Sequence, residues 1–525
     1  MTSCPGLVFG PTPDALQSGL PCFSPLFCCR TPQSVSDPLD DAETPTGPNA
    51  SVQSGRALDA APKWSDQLEQ RFGLNLQPDL VSWFDDEVWR TPGNGEFVVA
   101  VSPETLLKPI PDPVWPPLMP PNFLPLVGSH AGDWLCLRLA DGENSSSGIT
   151  YDLCHWYHGG GDWLPWGSSL AEALLFDQIL PYLPASDQRH AIPSPMDSGR
   201  PAQPGANAWQ DWMVRSLPDA IRPIAEEQRW RSGGTDWIDA LIAEGVCNVA
   251  IACQLVIDAL SNELTHRLKP ADTNRMGIAW NDIMRWGFDL RSLPNDVAQR
   301  LRDEGVAQAE AMDPAQQDWQ RIEDLCQRAH ALVPELAWAA ELLGYCRLQR
   351  GDSVGATVAF LSSLRCSVFT DQSVRLRTHW ATSGSDGMAK FGAYWLCREN
   401  ESSSATWDQA SGTNGENASA VANAVPTSIL MSEYLDCLQN REGGSVRSRL
   451  TSFFLDRAER NSNNGASAEA VRCLYAAGWD LGTEPMTLYA DLLGRLVDAT
   501  QSAGWTSHEN LARMHRDCFR KRYGI

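Results

Sequence analysis

The apolar period of this 525-residue chain changes once, and that change limits what it can fold into. Leu135, Leu137 and Leu139 alternate with Trp134, Cys136 and Arg138, which reads as a half-buried strand. Ile149 to Trp156 repeats the alternation, with Ile149, Tyr151, Leu153 and His155 on one side. The DGENSSSG stretch Asp141–Gly148 between them has turn-forming chemistry. From about 206 to the end no strand pattern recurs, and apolar residues fall only at three- and four-residue spacing. A strand-bearing unit followed by an all-helical one is the expectation.

The strand-bearing unit spans 63–185. Lys63–Phe72 and Pro78–Trp89 carry helical spacing, Glu96–Val101 reads as a strand, and Phe123–Val127 as a short one. Seven prolines between 109 and 121 exclude regular structure there. Ser168 or Ser169 caps a helix through Leu180, with Glu172 placed to close a capping box from Ser169. Helices at both ends of an antiparallel sheet define an α+β class.

Outside this unit, residues 1–62 are rich in Pro, Ser, Gly and Thr and are expected to be disordered; 186–205 reads as a linker. Cys4, Cys22, Cys28 and Cys29 match no metal-binding spacing. In 206–525, Thr235 caps a helix whose stripe is Val249, Cys253, Val256, Ile257, Leu260 and Leu264, stopped by Pro270. Further helices are expected at 318–333, 336–350, 354–366, 426–439, 446–462, 466–477 and 486–503, with a low-complexity loop at 399–423. The basic run Arg513–Arg522 suits a helix C-terminus.

Charge narrows the partners. The chain carries 41 Lys and Arg against 65 Asp and Glu, a net charge of −24, which disfavours nucleic acid and anionic membranes. Residues 63–185 alone hold 16 acidic against 5 basic residues. A basic protein is the expected partner, although the same acidity also serves solubility. The most apolar stretch, Val246–Leu260, is broken by Asn248, Gln254 and Asp258, too polar to span a bilayer. The N-terminus lacks a secretory pattern, and the fifteen scattered cysteines suit reduced, buried thiols, so the expected compartment is the cytoplasm.

Chemistry-bearing residues concentrate in His155-Trp156-Tyr157-His158-Gly159-Gly160-Gly161-Asp162-Trp163. An enzyme reading makes His155, His158 and Asp162 a metal-dependent or acid–base site. On a strand, residues three apart point to opposite faces, so those imidazoles converge only if the chain turns. The glycines are not followed by the Lys-Ser/Thr of a phosphate loop, and Cys154 has no activating surroundings. A recognition reading uses the aromatic residues around a glycine turn. Asp133, Trp156, Tyr157, His158, Asp162 and Trp163 are therefore the candidate partner-binding residues, with Trp156 and Trp166 also suited to the core. No catalytic residue, metal or cofactor is assigned.

Two resemblances follow. FGLNLQPDLVSWF (Phe72–Phe84), then Leu124-Pro125-Leu126 with Gly128, Gly132-Asp133, the strand Tyr151–Trp156, Trp166, Ser168, Ser169 and Leu174-Leu175 are, in order and spacing, similar to the SUKH superfamily. That superfamily includes Smi-one/Knr-four-type regulators of fungal cell-wall synthesis and bacterial toxin-immunity proteins. The resemblance covers about 120 residues and implies a binding domain, a SUKH-like antiparallel sheet flanked by helices, not a catalyst. The proline-rich connector and the attached helical half depart from its pattern. Separately, Arg328-Ala329, Leu332, Pro334, Leu343-Gly344, Gly351-Asp352, Ala356, Phe360 and Ser363 resemble tetratricopeptide repeats, Ala329 and Ser363 standing 34 residues apart. Arg347 departs from that pattern, an ordinary helical hairpin remains the alternative, and the resemblance implies a protein-binding, repeat-like scaffold at 318–366.

Overall fold

The computed structural model describes residues 62–93, 95–111, 119–140, 151–157, 163–184, 208–264, 319–335, 337–365, 446–477 and 486–525, with single positions at 115, 299 and 303. The expected leader up to residue 61, the linker at 186–205, the loop at 399–423, the helix at 426–439 and the four N-terminal cysteines lie outside the described residues.

Helix α1 (Trp64–Phe72) ends where Gly73 takes φ +67°, its N–H and that of Leu74 both donating to the Glu69 carbonyl. This left-handed stop suits glycine and turns the chain into α2 (Pro78–Asp85), which opens on a proline that needs no N–H partner. Asp85 at the end of α2 accepts from both the N–H and the hydroxyl of Ser65 at the start of α1, so the two helices brace each other.

Five strands then form an antiparallel meander in the order β1-β2-β3-β4-β5: β1 (Phe97–Ala100), β2 (Phe123–Ser129), β3 (Trp134–Leu139), β4 (Tyr151–Trp156) and β5 (Trp163–Gly167). The short helix α3 (Pro103–Leu106) follows β1, with Ser102 as its cap. Pro125 sits inside β2 next to a register shift, where a missing donor costs little. Helix α4 (Leu170–Ile179) begins at Ser169, whose hydroxyl accepts from the Glu172 N–H. The capping box closes only by half. The Glu172 carboxylate accepts from the Ser168 N–H and from the distant Cys247 N–H at 2.9 Å, while Asp79 of α2 caps the Ala171 N–H.

The expectation of a half-buried β3 is corrected. Leu135, Leu137 and Leu139 are fully buried, and so is Cys136 on the opposite face. The register places Leu135, Leu137 and Leu139 beside His155, Leu153 and Tyr151, on the face toward α4, where Trp166 packs edge-on against both His155 and Phe176. Cys136 and Arg138 lie beside Cys154 and Asp152 on the other face. That second face is covered by α8 (Asn248–Leu264) and the end of α9 (Trp319–Leu332), helices that no strand pattern could announce.

The helical half starts with α5 (Ala208–Ser216), whose Trp209 and Trp212 meet Trp83 edge-to-face, both at 4.9 Å. Both indoles are anchored, Trp209 to the Val88 carbonyl and Trp212 to the Ser82 hydroxyl. After α6 (Arg222–Glu226), the stripe expected to run on from Thr235 is divided. Helix α7 (Asp236–Ala243) stops, Gly245 and Cys247 take φ of +76° and +55°, and α8 restarts. Thr235 occupies the cap position without a side-chain bond. Helices α9, α10 (Ala337–Gln349) and α11 (Ser353–Arg365) follow within two residues of the expected bounds. Gly344 of α10 lies so near α11 that a Cβ there would sit 2.4 Å from the Phe360 ring. Arg347 bonds Glu323 of α9 and the Gly355 carbonyl, tying all three helices.

Helices α12 (Val446–Asn463), α13 (Ser467–Ala476), α14 (Met486–Ser502) and α15 (Thr506–Tyr523) pack with Ala356 and Phe360 of α11 into a second core. The basic run does end a helix, capped at Gly524. One larger core runs continuously from Leu68 through the sheet and α5–α10, and Leu511, Met514 and Cys518 of α15 join it. The described cysteines are all buried, and none of them forms a disulfide with another described residue.

Candidate functional site

Pairing of β1 with β2, and of β3 with β4, brings together side chains far apart in sequence at the β2–β3 turn. Asp133 Oδ2 lies 3.4 Å from His155 Nε2. Ser129 builds the turn around them by accepting from the Asp133 N–H. His155 is only 5% exposed, stacked on Tyr157 at 3.8 Å and met edge-on by Phe97 and Trp166. A carboxylate holding an imidazole is the geometry of an oriented base, but this ring is walled in on three sides. Described residues thus give it no open approach to a substrate.

Two more carboxyls join the cluster. Burial, and then the negative charge of Asp133, push the Glu96 carboxyl above its ordinary value. Asp177 of α4 accepts from the Glu96 N–H at 3.1 Å. Its carboxyl is pushed up to about 7 by burial, the Glu96 N–H partly opposing this and the Glu96 charge adding to it. A Cβ at Gly95 would sit 2.5 Å from Asp177 Oδ2, so any larger residue there must displace that carboxylate. Glu96 and Asp177 carried no signal in the sequence, because they gain meaning only through strand pairing.

The candidate partner-binding residues divide. Asp133 and Tyr157 are partly exposed beside His155. Trp156 and Trp163 are each 1% exposed, and this corrects their reading as a recognition surface. Trp156 points inward on β4, and Trp163 packs against Phe123 and beneath the Arg138 guanidinium. Trp166 is likewise core. His158 and Asp162, the other two members of the trio with His155, lie outside the described residues. Among the described residues no group of three or more His, Cys, Asp or Glu side chains could hold a metal ion.

The acidic excess is also placed differently from a simple charged surface. Asp79, Asp85, Glu69, Glu172 and Asp177 accept backbone N–H groups within the fold. Asp66, Asp86, Glu87, Glu104 and Asp152 are the exposed acids of this unit, among the described residues.

No family model, no curated protein and no solved structure matches the chain. Among the described residues, no helix is long and apolar enough to cross a membrane.

Proposed function

We propose that this chain is a non-catalytic protein-binding protein of the cytoplasm, with a SUKH-like recognition unit joined to a tetratricopeptide-like helical scaffold. The reading is carried by the order of elements at 64–179: two helices, a five-stranded antiparallel meander and a closing helix. The resemblance implies an antiparallel sheet flanked by helices, and this order is compatible with it, with Asp133 and Tyr157 at one end of the sheet. A basic protein partner suits the Glu96 carboxyl, whose charge burial and the neighbouring Asp133 make costly until a cation approaches. Toxin immunity and regulation of cell-wall synthesis are the two roles the resemblance offers.

The test uses the whole chain, because Trp209, Trp212 and α15 complete the unit at 63–185. Immobilised chain is exposed to lysate at roughly 50 mM and roughly 300 mM salt, and retained proteins are identified by mass. The best candidate is then purified and mixed with wild type and with the Glu96→Gln/Asp133→Asn double variant. A basic protein forming a defined complex, lost at higher salt and weakened in the variant, supports the reading. Retention of nothing specific at either salt removes it. An activity abolished by His155→Ala in a folded chain would instead favour the metal-dependent enzyme reading at His155, His158 and Asp162.

A further inference from the structure

On the opposite face of the sheet from His155 lies a cavity of about 180 Å³, bounded by β3–β5, the start of α4, the α7–α8 turn and the end of α9. Trp163, Cys247, Ala250 and Val333 line it and are themselves buried. Its rim is exposed and largely polar, with Asp152, Ser168 and Asn248 beside the apolar Val249 and Pro334.

Two polar bridges hold these walls apart. Arg138 of β3 donates to Asp152 of β4 at 2.8 Å and to Glu335, just beyond α9, at 2.6 Å. On the other side, the Glu172 carboxylate of α4 accepts from the Cys247 N–H at 2.9 Å, and the Glu172 carbonyl from the Cys247 thiol at 3.4 Å. Those bonds keep Cys247 at φ +55°, a left-handed backbone that residues with a Cβ seldom adopt, and so fix where α8 starts. Closing the apolar walls on each other would break both bridges, so the cavity persists.

The same bridges define the ligand. Among the described residues, the charged side chains lining the cavity are Arg138, Asp152, Glu172 and Glu335, and each is already engaged. Glu172 also accepts from the Ser168 N–H and hydroxyl. The surplus carboxylate charge lies at the mouth, where water screens it: the Asp152 and Glu335 side chains are 52% and 42% exposed. A charged ligand would therefore lose hydration inside and meet no uncommitted counter-charge. An apolar cavity of about 150 Å³ is large enough for benzene, so this one has room for a single substituted ring. The polar rim gives a protein surface little apolar area to dock on, which favours a free molecule over a partner's side chain.

We propose that this cavity binds a small, neutral, hydrocarbon-like molecule of about six to eight carbon atoms. The site goes beyond the protein-binding reading, uses none of the residues that reading rests on and is tested without a protein partner.

The probe is toluene, titrated to about 5 mM into the full chain and followed by NMR of its Leu, Val and Ala methyl groups. A ligand of this size should bind with a Kd on the order of 1 mM, with the shifts centred on Val249, Ala250, Leu332 and Val333. Benzylamine and benzoate, which place a charge on the same ring, should bind about tenfold more weakly. N-acetylphenylalaninamide, the same ring on a peptide backbone, should also lose about tenfold. Val249→Trp, at an exposed rim position, should cut toluene affinity about tenfold with the melting temperature unchanged. If toluene shifts none of those four residues in folded wild type, or if benzylamine or benzoate binds as tightly, the proposal is overturned. Equal affinity for N-acetylphenylalaninamide would overturn the free molecule as the source.

Discussion

The two cores of this protein are built from opposite materials. The larger one, around the sheet, is filled by tryptophans: Trp83, Trp156, Trp163, Trp166, Trp212, Trp230 and Trp237 are all nearly or fully buried. The second relies on small residues, with Ala356, Ala458, Ala476, Ala477, Ala490, Ala499 and Ala512 between its phenylalanines and leucines. The difference follows from what each must join. A twisted sheet with helices on both faces leaves irregular gaps that only wide, flat side chains fill. Helices joined by short turns approach most closely where side chains are small. Truncation should therefore hurt the first core, and enlargement should hurt close helix contacts such as that between α10 and α11.

The largest effect should come from Trp83→Ala, which removes the ring against which Trp209 and Trp212 pack. A loss of about 3–5 kcal/mol is expected in urea unfolding. If the two cores unfold as one, tryptophan fluorescence and helical circular dichroism will shift together; two separate midpoints would show that they are independent.

Next is a pH effect confined to the sheet side. Asp177 holds its proton in the fold up to about pH 7, above the ordinary carboxyl value of 3.8. Its contribution is thus complete in acid and is lost as pH rises from about 4 to about 7. Since Asp177 keeps a partial opening to solvent, the loss should be about 2 kcal/mol. Asp177→Asn should remove it, so the stability of wild type relative to the variant should fall across that range and flatten above it. A parallel pH profile for the two proteins would reject this assignment.

Gly344→Ala tests the helical side, driving a methyl into the Phe360 ring at an expected cost of about 1–3 kcal/mol. The penalty should shrink in a Phe360→Leu background, and a double-mutant cycle measures that coupling. Ser169→Ala should cost least, about 1 kcal/mol, because Asp79 still caps the neighbouring Ala171 N–H.

What could be read from the sequence was whatever depended on nearby residues. The alternation at Leu135–Leu139, the Ser169 cap and the spacing around Gly344 and Phe360 are local signals, and the elements appear where those signals place them. Burial was misread wherever a distant segment decides it. Trp163 looked like a recognition residue because the Arg138 guanidinium above it and the helices covering that face are remote in the chain. The acidic count of 63–185 carries no information on placement: Asp79 and Asp85 act as acceptors for helix N-termini. Of the cluster beside His155, Asp133 was visible within a motif, but Glu96 and Asp177 were not. Cys247 gave no warning that its backbone turns left-handed and ends a stripe that otherwise looks continuous.

Helix α15 shows a different kind of consequence. Its Ser507 hydroxyl reaches the Gly73 carbonyl across 434 residues, its Cys518 thiol the Pro111 carbonyl, and its Arg522 the Trp115 carbonyl. Synthesis at about 5–20 residues per second puts tens of seconds between the emergence of that seat and of the helix that fills it. For that interval the nascent sheet unit stands without its cover at Leu511, Met514 and Cys518, offering an apolar surface to whatever attends the ribosome. Ribosomes stalled before residue 506 should therefore carry a chain more open to protease near Gly73 than the finished protein.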